Sequence, residues 1–297
     1  MKICICSAAT EDYEWQYKYT NEIKKAYCEL YGYDFKFVRL DCSRKDSYHY
    51  RKKMLLDNMN GHDWVVWMDV DAWFNNFSVK LEDLLPKEGG VHMVVSRDHY
   101  EYDNVKMWHQ AYINSGVVAV KSGNVGKKLL AAWANPTDAM KKWMKMNTLL
   151  NDQPYLSIRI LADSVFSEKV VVKEPSELNW FLMFGDYDNK FIIHSAGITR
   201  KMLKRRKMFE ALKYTYNKNS INSSFMDEVD RELLASVKED QLVPAVNSRI
   251  NRSGVINGTY VPPGFEINPT LNAARESKRF TEGRRKVVDG FGNVRYV

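Results

Sequence analysis

The stretch HDWVVWMDVDAWFNN, residues 62–76, decides the fold of this chain. Its apolar run WVVWM leads directly into Asp69 and Asp71, which are separated by one residue and followed by the apolar AWF. Buried strands seldom tolerate carboxylates unless something pairs with them. The pattern therefore predicts a buried strand that ends in two acids, and these acids need a partner from elsewhere in the molecule.

Strand-like and helix-like segments alternate on both sides of this stretch. Such alternation predicts an α/β domain with a mostly parallel central sheet that is covered on both faces. The strand patterns lie at residues 2–6, 34–40, 64–68, 91–96, 116–121, 169–173 and 190–194. The helical patterns lie at about residues 15–30, 51–59, 125–133 and 137–150.

The character of the sequence changes after about Tyr216. One more helix is expected within residues 224–239, but beyond Val243 Pro, Gly and Asn are frequent and apolar periodicity is weak. We therefore expect a main domain over residues 1–216. Residues 217–297 are expected to form an appendage, a helix followed by an extended arm.

The composition is that of an ordinary globular protein. The 297 residues are 45% hydrophobic and 27% charged, which supports a core without disulfides. All four cysteines lie in the first 42 residues without metal-binding spacing, so we expect reduced core thiols in a cytosol-like compartment. No signal peptide or transmembrane segment is visible, so we expect a cytoplasmic protein with no membrane span. The net charge of +7 is partly clustered, in residues 199–213 and 275–286.

The two acids at the end of a strand indicate a metal site. Ligands bind at the carboxyl edge of open α/β sheets. Two neighbouring carboxylates repel each other, so when both are ionised they need a cation. Mg²⁺ or Mn²⁺ prefers such oxygen ligands and keeps positions open for phosphate oxygens. A diphosphate bridged to the protein by a metal ion is the economical interpretation.

Two alternatives compete for the same motif. Asp-x-Asp occurs by chance on solvated loops, although the flanking WVVWM and AWF disfavour a loop here. Haloacid-dehalogenase-type phosphatases also place Asp-x-Asp after an apolar strand. They expect Thr or Val two residues after the second Asp, where this chain has Trp73.

With this motif, and with FIIHSAGITRK at residues 191–201, the sequence resembles the metal-dependent glycosyltransferases of the GT-A fold. The resemblance is to two retaining groups, the galactosyl/mannosyl and xylosyltransferase family and the glycogenin-like family, and it extends over about residues 1–205. It implies a Rossmann-like nucleotide-diphospho-sugar transferase domain. It also implies a nucleotide-diphosphate sugar as donor, with a UDP-sugar as the default, and transfer to a hydroxyl with retention.

The resemblance also implies a set of site residues. Asp69, Asp71 and His194 match the ligands of Mn²⁺ or Mg²⁺, and Asp69 is shared with the ribose. Gly197 and a following cation match the diphosphate clamp; Arg200 and Lys201 both fit the spacing, and Lys201 is preferred as a point charge for phosphate. Asp152 and Gln153 match a pair that faces the anomeric carbon. The catalytic residues implied are Asp152, Gln153 and Lys201.

Further matches concern binding of the donor and acceptor. Each lies in a loop or helix that borders the expected site. They are Ser7, Ala8 and Thr10 beside the base and ribose, Arg51 and Lys52 on a basic helix, Arg97 and Asp98 near the donor sugar, and Asn114 on the strand that lines the acceptor side.

The acceptor is expected to be a glycan, but two alternatives stay open. The basic run from Arg200 follows directly on the expected clamp, so a nucleic-acid acceptor, such as DNA with a modified base, is conceivable. A catalytically inactive sugar-nucleotide-binding module is the second alternative. The presence of Asp-x-Asp, Asp-Gln and His argues against it.

Overall fold

The computed structural model describes residues 1–42, 44–87, 89–98, 112–135, 138, 152–196, 201–222, 225–242, 286–288 and 294–296. A six-stranded sheet with the order β2-β1-β3-β6-β5-β7 forms its centre. Only β6 runs antiparallel to its neighbours, so the predicted mostly parallel sheet is confirmed. The strands are β1 (Ile3–Thr10), β2 (Asp34–Leu40), β3 (Trp64–Met68), β5 (Met93–Arg97), β6 (Ile113–Lys121) and β7 (Val170–Lys173).

Helices cover both faces of this sheet, as predicted from the alternation. Their bounds are α1 (Glu14–Tyr31), α2 (Arg44–Asp57), α3 (Leu81–Leu84), α4 (Asn124–Ala134), α5 (Gln153–Ala162), α6 (Ser164–Ser167), α7 (Pro175–Leu178), α8 (Lys201–Lys218) and α9 (Met226–Leu242). The helix expected at residues 137–150 lies outside the described residues, except for residue 138.

The hydrophobic core consists of two clusters, one on each face of the sheet. In β1, Ile3 and Ile5 belong to the cluster that contains α1 and α8, whereas Cys4 and Cys6 belong to the cluster that contains α2, α4 and α5. Side chains alternate between the faces of a strand, so a strand that is buried on both faces must be apolar throughout. This is why ICIC and WVVWM read as continuous apolar runs.

A second, three-stranded sheet with the order β4-β9-β8 lies next to the Asp-x-Asp turn. Strand β4 (Ala72–Phe74) follows that turn and runs antiparallel to β9 (Ile192–His194), with Ala72 opposite His194. Strand β8 (Trp180–Phe181) runs parallel to β9 on its other side. The sequence predicted β9 but not the short strands β4 and β8. This small sheet carries His194 to the two aspartates.

The chain beyond residue 216 continues into packed structure. Helix α8 extends to Lys218, and α9, predicted at residues 224–239, packs Val229 into the same core cluster as α1 and α8. The Lys18 Nζ lies 2.7 Å from Glu228 Oε2 and adds an ion pair between α1 and α9. Two short strands, β10 (Lys286–Val288) and β11 (Val294–Tyr296), form an antiparallel pair. The domain boundary at residue 216 stays a prediction.

Among the described helices, none combines the length and the apolar composition that crossing a bilayer requires.

Candidate active site

The Asp-x-Asp turn joins the two sheets. The Asp69 backbone N–H donates to the Gly116 carbonyl at 2.7 Å, and the Ala72 N–H donates back to the Asp69 carbonyl at 3.0 Å. The Val70 carbonyl between them accepts a 2.6 Å hydrogen bond from the Thr20 hydroxyl on α1. Asp69 therefore stands at the carboxyl end of β3 and Asp71 at the start of β4, on a turn whose backbone is held from two sides.

A fully buried lysine lies beneath this turn. The Nζ of Lys24, on α1, donates to the Asp69 carbonyl at 2.9 Å and lies 3.4 Å from the Ser7 hydroxyl. Burial lowers the pKa of Lys24 to about 7, while the carboxylates of Asp71 and Asp69 act in the opposite direction. Lys24 was not predicted, because in the sequence a lysine within an amphipathic helix resembles any solvated cation.

Asp69, Asp71 and His194 form a group that could hold a metal ion. His194 Nε2 lies 3.2 Å from Asp71 Oδ1 and 3.8 Å from Asp69 Oδ2, and one ligand atom from each residue lies within 4.8 Å of the others. Adjacent ligands of an octahedral ion with bonds of about 2.1 Å are about 3 Å apart, and opposite ligands about 4.2 Å. Two carboxylates and one imidazole at these separations fit a divalent cation, as the sequence predicts.

The position of His194 depends on a glycine in β6. A Cβ added at Gly116 would lie 2.2 Å from His194 Cε1 and 2.8 Å from His194 Nδ1. Phe181 on β8 stacks against the imidazole, with ring centroids 5.9 Å apart. The imidazole is thus packed between an aromatic ring and bare backbone, which fixes the direction of its Nε2 atom.

Asp71 also pairs with a lysine that the sequence analysis did not single out. Lys204 Nζ lies 2.8 Å from Asp71 Oδ2, and the Ser195 backbone N–H donates to the Asp71 carbonyl at 2.9 Å. Burial alone would raise the pKa of Asp71, but Lys204 and His194 together hold that pKa well below its usual range. One sequence feature could have indicated Lys204. It lies three residues after Lys201, the predicted clamp residue, and residues at this spacing share one face of a helix.

The predicted clamp residues are not placed. Gly197 and Arg200 lie outside the described residues, as does the side chain of Lys201, whose backbone begins α8.

Asp69 is held by an arginine and a tryptophan. Arg51 Nη2 lies 3.3 Å from Asp69 Oδ1, and the Trp67 indole N–H donates to the same oxygen at 2.6 Å. The guanidinium also donates to the Ser115 carbonyl at 2.6 Å and lies 5.1 Å from the centroid of the Trp67 ring. Asp69 Oδ1 is therefore committed to these partners, and Oδ2 is the oxygen that faces His194.

A buried ion pair stands behind Arg51. Lys52 Nζ lies 2.6 Å from Asp152 Oδ2, and Arg51 Nη1 lies 3.9 Å from Asp152 Oδ1. The Trp133 indole N–H donates to the Asp152 carbonyl at 3.0 Å, and its ring lies 5.0 Å below the Lys52 ammonium. Burial lowers the pKa of Lys52, and Asp152 opposes this change. The Asp152 carboxylate is thus neutralised within the protein.

Gln153 bridges two strands at the start of α5. Its Nε2 donates to Asp98 Oδ2 at 2.7 Å, and its Oε1 accepts from the Ser115 N–H at 3.1 Å. The neighbouring Asn114 Oδ1 accepts from the Gly116 N–H at 2.9 Å and from Asn179 Nδ2 at 3.0 Å. These bonds fix the orientation of both amides.

The structure brings nine of the predicted residues into one network of contacts. The network contains Arg51, Lys52, Asp69, Asp71, Asp98, Asn114, Asp152, Gln153 and His194. Ser7 is fully buried and donates to the Met68 carbonyl, so it is part of the sheet. Arg97 pairs with Glu174 at 3.2 Å. Ala8 is half-buried, and Thr10 ends β1 with a buried hydroxyl that bonds to no described residue.

Many solved structures resemble this chain, among them two glycosyltransferases. The first is a glycosyltransferase involved in the glycosylation of the major capsid of PBCV-1, at 16% identity over 71% of this chain and 98% of that chain, with a TM-score of 0.54. The second is the galactosyltransferase LgtC in complex with donor and acceptor sugar analogs, at 14% identity over 77% of this chain and 100% of that chain, with a TM-score of 0.46. The first of these, with a TM-score above 0.5, supports the GT-A fold predicted here. No curated protein matches the chain.

A family model decides the identity of the chain. The model of the galactosyl transferase GMA12/MNN10 family matches residues 5–202, which is more than half of the sequence and includes both the Asp-x-Asp turn and His194. This match disfavours the phosphatase alternative. The chain therefore belongs to the galactosyl transferase GMA12/MNN10 family and is a glycosyltransferase of the GT-A fold.

Proposed function

We propose that this protein transfers a sugar from a nucleotide-diphosphate sugar, by default a UDP-sugar, to a hydroxyl of a glycan, with a divalent metal and with retention. The observation that carries the proposal is the approach of Asp69, Asp71 and His194 at the carboxyl end of β3, in a member of a glycosyltransferase family. Mn²⁺ or Mg²⁺ held there would supply positive charge to the leaving diphosphate.

The residues around the metal ligands support donor binding. Arg51 and Trp67 hold one oxygen of Asp69 and leave the other toward His194, so the carboxylates are oriented before a ligand arrives. Thr10, at the end of β1, offers a buried hydroxyl to the nucleotide. Such prearranged groups lose little entropy on binding.

The pairing of Asp152 favours a front-face path. A carboxylate neutralised by Lys52 and approached by Arg51 is a poor nucleophile and a poor base. Asp152 then positions the cations, and the Gln153 amide, fixed by Asp98 and Ser115, steadies the oxocarbenium-like sugar. The departing phosphate takes the proton of the acceptor, so this path needs no strong base.

The test is release of nucleoside diphosphate from a panel of sugar nucleotides with and without Mn²⁺. Chelation of the metal should abolish release. Asp71→Asn should lower it by more than about a hundredfold, because a lost ligand removes several kcal/mol of charge stabilisation. Asp188→Asn, an exposed aspartate that pairs with Lys218, is the control and should retain activity. Undiminished release after chelation would contradict metal dependence. The anomeric configuration of the product, assigned by NMR from the one-bond carbon–proton coupling at C1 and compared with that of the donor, reports retention.

The charges of α8 favour a glycan over a nucleic-acid acceptor. Five of its cations are neutralised by acids of the described chain. These pairs are Lys204–Asp71, Arg205–Glu232, Arg206–Glu210, Lys213–Asp230 and Lys218–Asp188. A helix whose cations are paired attracts a polyanion weakly. Transfer should therefore change little between low and moderate salt, whereas a steep fall would favour a nucleic-acid acceptor.

A further inference from the structure

The two carboxylate oxygens of Asp71 face different charged partners, and Oδ2 also accepts a 3.3 Å hydrogen bond from the Ser195 hydroxyl. Oδ1 faces His194 Nε2 at 3.2 Å, and Oδ2 faces Lys204 Nζ at 2.8 Å. Both side chains of the Asp71–Lys204 pair are largely buried, with 13% and 18% of their surfaces exposed. An ammonium at this distance occupies an oxygen of a residue that a metal ion would need.

Among the described side chains, three cations surround the two aspartates, and one of these has no second partner that holds it in place. Lys24 is bound to the Asp69 carbonyl, and Arg51 is bound to the Ser115 carbonyl and buried at 4% exposure. Among the described residues, Lys204 Nζ has one hydrogen-bond partner, Asp71. Lysine carries its charge on a flexible four-carbon stem, so its ammonium can change partners without movement of the backbone.

A divalent ion added beside Lys204 would increase the positive charge of a site that already contains it. A dication on Asp69 and Asp71 would therefore repel an ammonium that stays on Asp71 Oδ2. The repulsion is relieved when a diphosphate accepts the ammonium, because phosphate oxygens are strong acceptors for lysine.

We propose that Lys204 is the resident counter-ion of Asp71, which opposes binding of the metal alone and moves onto the diphosphate of the donor. This role rests on the proposed function and adds a residue to it. It makes Lys204 a coupling element, since the metal and the diphosphate each favour the arrangement that the other needs. Loss of Lys204 should therefore strengthen binding of the metal alone and weaken binding of the diphosphate.

The test compares Lys204→Met with Lys213→Met. Lys213 lies on the same helix and pairs with Asp230 at 2.7 Å, so the control removes a similar ion pair outside the site. Isothermal titration calorimetry measures Mn²⁺ binding without nucleotide, and then UDP binding at saturating Mn²⁺. Lys204→Met should bind Mn²⁺ alone about tenfold more tightly and UDP about tenfold more weakly. Lys213→Met should match the wild type in both titrations.

A purely structural role for Lys204 would weaken both ligands, and this result would overturn the proposal, as would unchanged affinities. Lys204→Arg keeps the charge and should retain the weak Mn²⁺ binding of the wild type. Lys204→Gln replaces Lys204→Met if Lys204→Met fails to fold.

The proposed function has a separate readout. Wild-type protein that releases no nucleoside diphosphate and binds no Mn²⁺ even with UDP contradicts the proposed function, whereas normal release with unaltered Mn²⁺ affinity in Lys204→Met contradicts only the role of Lys204.

Discussion

Single residues in this site carry buried or half-buried charges that are matched in pairs. Asp152 meets Lys52, Asp69 meets Arg51 and Asp71 meets Lys204. A buried charge that loses its partner is costly, since neither water nor another ion replaces it. The pairs orient the site and also make the fold sensitive to substitution there.

Lys52→Met should lower the free energy of unfolding by about 3 kcal/mol or more, because the Asp152 carboxylate stays buried without its nearest cation. Lys53→Met is the matched control. Lys53 is the next residue, with 65% of its side chain exposed in its pair with Asp57, so its loss should leave the free energy of unfolding almost unchanged. Urea denaturation of the three proteins measures both values. Equal losses in the two variants would contradict the burial argument.

Gly116→Ala should weaken metal binding as well as the fold. The new Cβ would meet the His194 ring at 2.2 Å, so the imidazole must move, and overpacking of this kind costs about 1–3 kcal/mol. Gly90→Ala is the control, because its Cβ would meet only the flexible end of Lys169 at 3.3 Å. Calorimetry with Mn²⁺ and UDP, together with urea denaturation, separates the two effects. Wild-type metal affinity in Gly116→Ala would show that His194 does not depend on this contact.

At the scale of elements, the pairing of β4 with β9 brings Asp71 next to His194. The residues after Asp71 are tied to neighbouring segments: the Trp73 indole donates to Thr215 at 3.0 Å on α8, and Asn75 bonds to the turn before β9. Trp73 therefore helps to pack α8 against β4. A strand of only three residues forms few backbone hydrogen bonds, so such side-chain contacts contribute most to its position.

Asn75→Ala should test this coupling. The fully buried Asn75 amide donates to the carbonyls of Tyr187 and Lys190 and accepts from the Thr215 hydroxyl, and each polar group left unpaired costs about 1–3 kcal/mol. Asn76→Ala is the neighbouring control, since its side chain bonds only locally to Ser78. The free energy of unfolding should fall clearly in the first variant and by less than about 1 kcal/mol in the second. Similar losses in both would contradict the prediction.

At the scale of the whole molecule, α9 completes the core beside α1 and α8. Val229 is fully buried, and Tyr19 packs edge-on against Phe225 with ring centroids 5.7 Å apart. Ion pairs to Glu228 and Glu232 join α9 to both helices. The helix therefore covers apolar surface that α1 and α8 share.

A chain that ends at residue 222 should unfold at a lower temperature than a chain that ends at residue 242. Its loss of α9 exposes the apolar surface around Val229, and burying a side chain of this size is worth about 1.5–3 kcal/mol. Differential scanning calorimetry of the two chains measures the effect. Equal transition temperatures would support a boundary near residue 216.

The sequence by itself determined the alternation of strands and helices, the mostly parallel sheet and the residues that could hold a metal ion. These features depend on local patterns: apolar runs predict buried strands, periodic apolar residues predict helices, and acids that follow a buried strand need a cation. Asp69 directly follows such a run and Asp71 lies two residues further on, whereas His194, at the end of another run, was predicted from the family resemblance.

Only the tertiary structure decided which cations meet those acids. Lys24 and Lys204 look like solvated residues of basic helices in the sequence, and Gly116 looks like any glycine in a strand. Their roles depend on contacts between residues far apart in the chain, such as Lys204 with Asp71 and Gly116 with His194. Strands β4 and β8 are too short to show a period. The physical reason is that local patterns record whether a residue is buried, whereas the packed fold selects its partner.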